Sequence, residues 1–359
     1  MKAIQTERAT ITVIMFFLLL LTGLISYSVK AQSPDIHGDH HPIVQAKTTA
    51  KEINHVDNIN HSAKAVALNP LINSPYEDLK PALTPCGKRL YFSRSMHPDN
   101  TFGTQDLEDI WFSDFDETTN TWSHPAVMPT PLNNNGPNYI NNVSVTGDTI
   151  ILGNQYLKKG KMRAGLSYSV NENGHWSDPK PINIKYDYNV ANSANAFVDL
   201  KHGVIIKAIQ RAETFGERDL YVSFWNGEEA TEPINMGSVI NTEYEESSPY
   251  LAADNKTLYF ASKGHHGHGG FDIWVSKRLD DTWTNWSEPE NLGPGVNGKL
   301  DDEFFSITHC GNYGIFSKQV NVHNTDLYRI SLEELFGEKK MENQPFREVK
   351  EGKIAVASL

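Results

Sequence analysis

Residues 248–262 read SPYLAADNKTLYFAS, and residues 269–274 read GGFDIW. Short runs of aromatic and β-branched residues alternate here with Gly, Asn, Asp and Pro, which is typical of antiparallel strands joined by tight turns. The pattern predicts strands at 248–252, 257–262 and 272–277, with a last strand around 287–292. Asp254 and Asn255 supply the turn between the first two strands.

The same unit recurs along the chain with a nearly constant period. Counterparts of the third strand begin 56, 54, 53 and 54 residues apart, at Asp109, Gly165, Asp219, Asp272 and Asp326. Counterparts of the second strand are spaced by 60, 54, 54 and 56 residues, at Leu90, Ile150, Val204, Leu258 and Gly314. A four-stranded unit of this length, repeated several times without helical periodicity, predicts an all-β fold, a β-propeller.

Five units are visible, so we expect five four-stranded blades. Six blades remain the alternative if residues 333–359 or the segment before residue 64 hide another unit. The last unit lacks a fourth strand after residues 326–330, whereas residues 67–73 (ALNPLIN) are similar to residues 234–241 (INMGSVIN) at the end of the third unit. We therefore predict that residues 64–72 form the outer strand of the last blade, which closes the ring and removes an exposed edge.

The N-terminus predicts export. Lys2 and Arg8 precede an apolar run at residues 11–25, and a cleavage site follows at Ala31, which is typical of a secretory signal peptide. An uncleaved membrane anchor is the alternative. We expect a signal peptide at 1–31, a His-containing linker at 32–63, the propeller at 64–332 and a tail at 333–359. The chain would then lie in the periplasm or the cell envelope, with no membrane span after cleavage.

The repeats resemble the TolB-type, WD-repeat-like propeller repeat, which reads approximately SPxxxxDGKxLYFxS followed by GGxDIY. Residues 248–274 match it well, and residues 84–93 (TPCGKRLYFS) are a second match. The second and third units depart from the pattern, and in the second unit Gly165 stands in place of the recurring Asp. The resemblance covers residues 64–332 and implies the propeller fold and an envelope location in Bacteroidetes-type bacteria, but it says little about function.

Acidic residues gather at the start of several innermost strands. In a closed ring they would meet near one mouth of the central channel, where a negative surface attracts a cation or a basic segment of a partner. The candidate binding residues are Glu77, Asp78, Glu246, Asp302 and Glu303. The alternative is that they are ordinary solvated turns. The formal net charge of −12 argues against nucleic acid as a partner.

Other residues give weaker signals. His265, His266 and His268 are weak candidates for a metal site in a Gly-rich loop, and no metal or cofactor is expected. The recurring Asp109, Asp219, Asp272 and Asp326 fit a structural role as acceptors for turn N–H groups. We predict that Cys86 and Cys310, in equivalent turns of the first and fifth units, remain unpaired thiols because the turns diverge beyond disulfide reach.

The sequence thus favours a non-catalytic propeller that binds or scaffolds an unidentified envelope protein or glycan. The alternative is a glycan-binding or glycoside-processing propeller. A glycosidase needs two carboxylates that face each other across a pocket, and Glu246 with Asp302 is the conceivable pair.

Overall fold

The structure, a computed structural model, describes residues 59–191 and 194–337. Within them the chain forms five antiparallel blades in a ring, a five-bladed β-propeller as predicted. Each blade has four strand positions, and in blades 1 and 2 two short strands share the outermost position. The outer strand of the fifth blade is β1 (Val66–Ala67). The expected signal peptide, most of the expected linker and most of the expected tail lie outside the described residues.

The strands follow the predicted order from the channel outward. Blade 1 contains β2 (Asp78–Leu83), β3 (Arg89–Arg94), β4 (Asp109–Asp116), β5 (Thr121–Trp122) and β6 (Ala126–Val127). Blade 2 contains β7 (Ile140–Val143), β8 (Thr149–Leu157), β9 (Lys161–Glu172), β10 (His175–Trp176) and β11 (Lys180–Ile182). Blade 3 contains β12 (Ala196–Asp199), β13 (Val204–Ile209), β14 (Asp219–Phe224) and β15 (Ile234–Asn235). Blade 4 contains β16 (Glu246–Leu251), β17 (Thr257–Ser262), β18 (Asp272–Lys277) and β19 (Glu290–Asn291). Blade 5 contains β20 (Asp302–Ile307), β21 (Tyr313–Asn321) and β22 (Asn324–Ser331), followed by the helix α1 (Leu332–Phe336).

The core lies between the blades. All six residues of β17 are buried, because a neighbouring blade covers each face of the sheet. Phe260 and Trp274 of blade 4 share one apolar cluster with Leu220 and Val222 of blade 3. Burial of one such side chain contributes roughly 1.5–3 kcal/mol, which explains why aromatic and aliphatic residues recur at these positions.

The N-terminal strand closes the ring, as predicted. Strand β1 pairs antiparallel with β22, and Val66 lies opposite Arg329. The Asn73 side chain then accepts a hydrogen bond from the Leu327 N–H at 2.9 Å and donates one to the Leu327 carbonyl at 3.1 Å. Asn241 makes the same two bonds to Leu220 in blade 3. The similarity between residues 67–73 and 234–241 is therefore a similarity of hydrogen-bonding role.

The packed unit extends beyond the expected 64–332. The Asn60 N–H donates to the Leu335 carbonyl at 2.7 Å, and Ala63 is buried in one cluster with Leu332 and Leu335. Residues 59–63, expected as linker, and α1, expected largely as tail, therefore pack together against blade 5. Among the described residues no helix is long and apolar enough to cross a membrane.

The two faces of the ring carry different loops. We call the mouth face the side where the innermost strands begin; it includes residues 95–108, 157–161, 210–218, 263–271 and 319–325. The turns after the innermost strands lie on the opposite face. Cys86 and Cys310 occupy two of these turns and are exposed, free thiols, which confirms that prediction.

Candidate functional site

Three of the five candidate carboxylates are buried inside the blades. Asp78, Glu246 and Asp302 begin their innermost strands and are at most 1% exposed. Each accepts a hydrogen bond from a backbone N–H four residues earlier, at 2.6, 2.8 and 2.5 Å respectively. These side chains close the turn that enters the blade, so they do not line the mouth as the sequence suggested.

The second strand of each blade supplies a further donor to the same carboxylates. Asp78 accepts from Arg94 at 2.7 Å, Glu246 from Ser262 at 2.6 Å, and Asp302 from Lys318 at 2.8 Å. In blade 2 the equivalent acceptor is the Asn138 amide, which binds the Asn134 N–H at 2.8 Å. The position therefore requires an acceptor oxygen rather than a negative charge.

Burial disfavours the charged form of these carboxylates. It raises the pKa of Glu246 to about 7 and that of Asp302 to about 6, although the hydrogen bonds and Lys318 act in the opposite direction. Burial also raises the pKa of Asp78, although the positive charge of Arg94 acts to lower it.

The other two candidates lie at an open site. Glu77 and Glu303, together with Asp301, line a cavity of about 150 Å³ between blades 5 and 1. We call it the seam cavity. Its remaining walls come from Leu79, Phe304, Ser317, Gln319 and Thr325. Its three carboxylates are partly exposed.

The central channel beside the seam cavity is narrow. Residues from all five innermost strands or their entry segments constrict it, among them Lys80, Asn141, Phe197, Ser248 and Phe304, and the space left is about 30 Å³. That volume accommodates one or two water molecules. The Lys80 ammonium pairs with Glu108 at 2.5 Å and lies 4.4 Å from the centre of the Tyr139 ring, so its charge is already engaged.

The geometry does not support the conceivable glycosidase pair. Glu246 and Asp302 are buried, are held by their own turns in different blades, and line neither the seam cavity nor the constriction of the channel. The seam cavity does contain carboxylates, but 150 Å³ is smaller than the several hundred Å³ of ordinary small-ligand pockets.

The weak metal candidates have structural contacts. The His265 ring lies within hydrogen-bonding distance of the Ile240 carbonyl, 3.0 Å away, and packs against Phe260 and Trp274. Burial lowers the pKa of His265. In the described part of the chain, no group of three or more His, Cys, Asp or Glu side chains is arranged to hold a metal ion.

Three of the four recurring Asp residues accept a turn N–H group, as the sequence suggested, whereas Asp326 accepts from the Asn324 side-chain amide at 3.1 Å. Asp109 accepts from the Thr101 N–H at 2.6 Å, and Asp219 from the Phe215 N–H at 2.9 Å. Asp272 accepts from the His268 N–H. These carboxylates fix the loops of the mouth face.

Sequence reasoning missed the apolar character of the mouth face. Exposed large apolar side chains concentrate in its loops, including Met96, Phe102, Leu107, Leu157, Phe215, Val320 and Val322. A further group lies in segments that enter blades 3 and 4, namely Tyr186, Tyr188, Val190 and Tyr244. Clusters of exposed apolar side chains next to polar ones are typical of interaction surfaces. The sequence did contain an indication of this surface, namely apolar residues inside otherwise polar loops.

The comparisons with known proteins support the fold. No protein-family model matches the chain, and no curated protein sequence matches it. The chain is similar to a solved structure titled glycoside hydrolase, with a TM-score of 0.51 and 10% identity over 80% of this chain and 96% of that one. It is also similar to an α-L-arabinofuranosidase from Podospora anserina, with a TM-score of 0.48 and 13% identity over 76% of this chain and 98% of that one.

TolB from Acinetobacter baumannii is a third similar structure, with a TM-score of 0.43 and 13% identity over 73% of this chain. The chain spans 56% of the length of that protein. The strand order of the chain itself defines the class of protein, a five-bladed β-propeller. At identities of 10–13% the similar structures say nothing about its chemistry.

Proposed function

We propose that this chain is a non-catalytic propeller that binds a partner protein in the bacterial cell envelope through its mouth face. The observation that carries the proposal is the combination, on one face, of the carboxylates of the seam cavity with exposed apolar loops such as Phe102 and Phe215. Interfaces are built from apolar anchors surrounded by polar groups that select the partner. The predicted signal peptide supports an exported location.

Binding fits the site better than catalysis does. A glycosidase requires one carboxylate as acid and a second as nucleophile or base across a sugar-sized pocket. The buried carboxylates here already close their own turns, and the cavity at the constriction of the channel holds only one or two water molecules. The seam cavity does hold carboxylates, but its 150 Å³ is too small for a sugar ring flanked by an acid and a base, so we assign no catalytic pair.

Glycan binding without hydrolysis is the second candidate. Exposed aromatic rings at the blade 3 side of the mouth face favour it, because such rings can stack against sugars. Tyr188 is held for such a role by a hydrogen bond to Glu213 at 3.0 Å and by Arg211, 4.3 Å from its ring centre.

Crosslinking in intact cell envelopes tests the proposal. A benzophenone amino acid at Phe102 reports on the mouth face, and the same probe at Leu279 reports on the opposite face; both side chains are more than half exposed. We expect a discrete protein adduct from position 102 and none from position 279. Adducts of equal yield from both positions, or an adduct from 279 alone, would contradict the proposal.

A charge-matched pair of variants sharpens the test. We expect Glu77→Gln with Glu303→Gln to reduce the adduct at position 102 several-fold, because both carboxylates border the surface that the partner covers. The control is Glu172→Gln with Glu228→Gln, which removes the same charge from exposed positions away from the mouth face. Release of sugar from a panel of envelope glycans would instead favour the enzyme.

A further inference from the structure

The repeat places an acidic residue at the same point in three blades, immediately before the innermost strand. These residues are Glu245 in blade 4, Asp301 in blade 5 and Glu77 in blade 1. Their equivalence is visible in the backbone, because each carbonyl accepts a hydrogen bond from the residue directly after the one that pairs with the first residue of the innermost strand. The donors are the N–H groups of Lys263, Gln319 and Ser95, at 3.0, 2.8 and 3.1 Å.

In blade 4 this carboxylate is neutralised by two cations. Arg218, from the preceding blade, binds Glu245 at 2.5 Å, and Lys263 binds it at 3.0 Å. Burial would raise the pKa of Glu245, but the two cations outweigh it and hold the pKa below its ordinary value. A partly buried carboxylate at this position is thus stabilised when a guanidinium reaches it from the preceding blade.

At the junction of blades 5 and 1 both cations are missing. Arg218 directly precedes the recurring Asp of blade 3, and the residue that directly precedes the recurring Asp of blade 5 is Thr325. Lys263 follows the second strand of blade 4, and the equivalent residue of blade 1 is Ser95. Within the described chain, the side chain of Glu77 has no hydrogen-bond or ion-pair partner. Blade 3 supplies a guanidinium to blade 4. At the equivalent place, blade 5 supplies no guanidinium to blade 1, and the seam cavity of about 150 Å³ lies there instead.

The walls of the seam cavity are those of a cation site. Thr325 lines it and is only 7% exposed, yet its hydroxyl makes no hydrogen bond in the described structure. Glu303 brings a second carboxylate from the channel side, anchored by a hydrogen bond from Ser248 at 3.1 Å. The ammonium groups of Lys80 and Lys318 are paired with Glu108 and, at 2.8 Å, with Asp302. Burial raises the pKa of Glu303, and Arg218, which binds Glu245, partly offsets that rise.

We propose that the seam cavity receives the guanidinium of an arginine side chain from the partner protein, in the place that Arg218 fills one junction earlier. This inference rests on the proposed function and assigns one anchor of its interface. A planar guanidinium can donate to Glu77 and Glu303 together and to the Thr325 hydroxyl, while Phe304 offers an apolar wall. A metal ion fits less well, because no metal-binding group of three side chains occurs among the described residues.

A peptide pair tests the charge requirement directly. The probes are acetyl-Gly-Arg-Gly-amide and its citrulline counterpart, which has nearly the same shape without the charge. Isothermal titration or NMR shifts should show at least tenfold weaker binding of the citrulline peptide, because charge-assisted hydrogen bonds are lost. Glu77→Gln should weaken arginine-peptide binding about tenfold, and Glu228→Gln, on the opposite face, should leave it unchanged. Equal binding of the two peptides would overturn the proposal.

A substitution within the chain can place an arginine at the position equivalent to Arg218. We expect Thr325→Arg to abolish arginine-peptide binding and to raise the melting temperature by a few degrees, but not when combined with Glu77→Gln. Peptide binding that survives in folded Thr325→Arg would overturn the assignment. If this variant does not fold, the Glu77→Gln titration still decides.

Binding of free amines shows whether the cation comes from a protein or from a small molecule. Agmatine or spermidine binding as tightly as the peptide would assign the cavity to a small amine and overturn the protein partner. Failure of this inference is separable from failure of the proposed function. If the adduct at position 102 persists while the peptide does not bind, only the arginine assignment fails.

Discussion

At the residue scale, position in the repeat decides what a carboxylate does. Asp78, Glu246 and Asp302 begin innermost strands and accept turn N–H groups, whereas Glu77 and Glu303, one residue to either side of this position, border a cavity. Side chains alternate across a strand, so a shift by one residue moves a group from the interior to the mouth. The sequence showed the groups of adjacent acidic residues, but it did not show which residue of each group is buried inside the blade.

Glu246 should make stability depend on pH. Burial raises its folded-state pKa to about 7 from an ordinary value of 4.5, so the folded state holds this proton more tightly than the unfolded chain. Its contribution is complete below pH 4.5 and is lost as pH rises through 7. We expect the variant Glu246→Gln to unfold with a flatter pH dependence, and to gain roughly 1–3 kcal/mol relative to the wild type between pH 5 and pH 8.

Chemical denaturation at a series of pH values measures this difference. Asn138 occupies the same place in blade 2, so the fold accepts an amide there. The control Glu228→Gln, an exposed position, should keep the wild-type slope. Parallel curves for the wild type and Glu246→Gln would show that Glu246 is not the buried titrating group.

At the element scale, the closing strand shows why the ring could be predicted from the sequence. Leu68 and Ile72 are buried, and Asn73 bonds the third strand of blade 5 as Asn241, at the end of the third unit, bonds that of blade 3. The same short sequence motif recurs wherever a blade needs the same hydrogen bonds at its outer strand. The contacts of residues 59–63 with α1 occur once, so no repeat indicated them.

Removal of the closing strand should therefore destabilise the whole ring. Deletion of residues 32–72 removes β1 together with the buried Leu68 and Ile72, and we expect the melting temperature to fall by at least about 10 °C. Deletion of residues 32–58 leaves every described contact in place and should change it little. Scanning calorimetry of the two proteins makes the comparison, and equal losses would refute the role of β1.

At the scale of the whole molecule, the blade number and the blade order were readable because the unit recurs five times. The seam cavity was not readable, because it depends on Thr325 and Glu77 meeting across a junction whose members lie at opposite ends of the propeller sequence. The Arg218 pair with Glu245 was hidden because it joins two different blades and occurs at one junction, so no repeat indicates it. Repeats reveal what is common to the blades, whereas a binding site arises where one blade differs from the others.

The two faces of the ring should therefore behave differently in chemical labelling. Cys86 and Cys310 are exposed in turns opposite the mouth face, and each thiol lies 3.4 Å from a threonine hydroxyl in the same turn. We expect titration of the native protein, without denaturant, to find two reactive thiols. A bulky maleimide on both should leave the crosslink from position 102 intact, since the partner covers the other face. A protein with fewer than two reactive thiols, or one whose label blocks the crosslink, would contradict this division between a binding face and a free face.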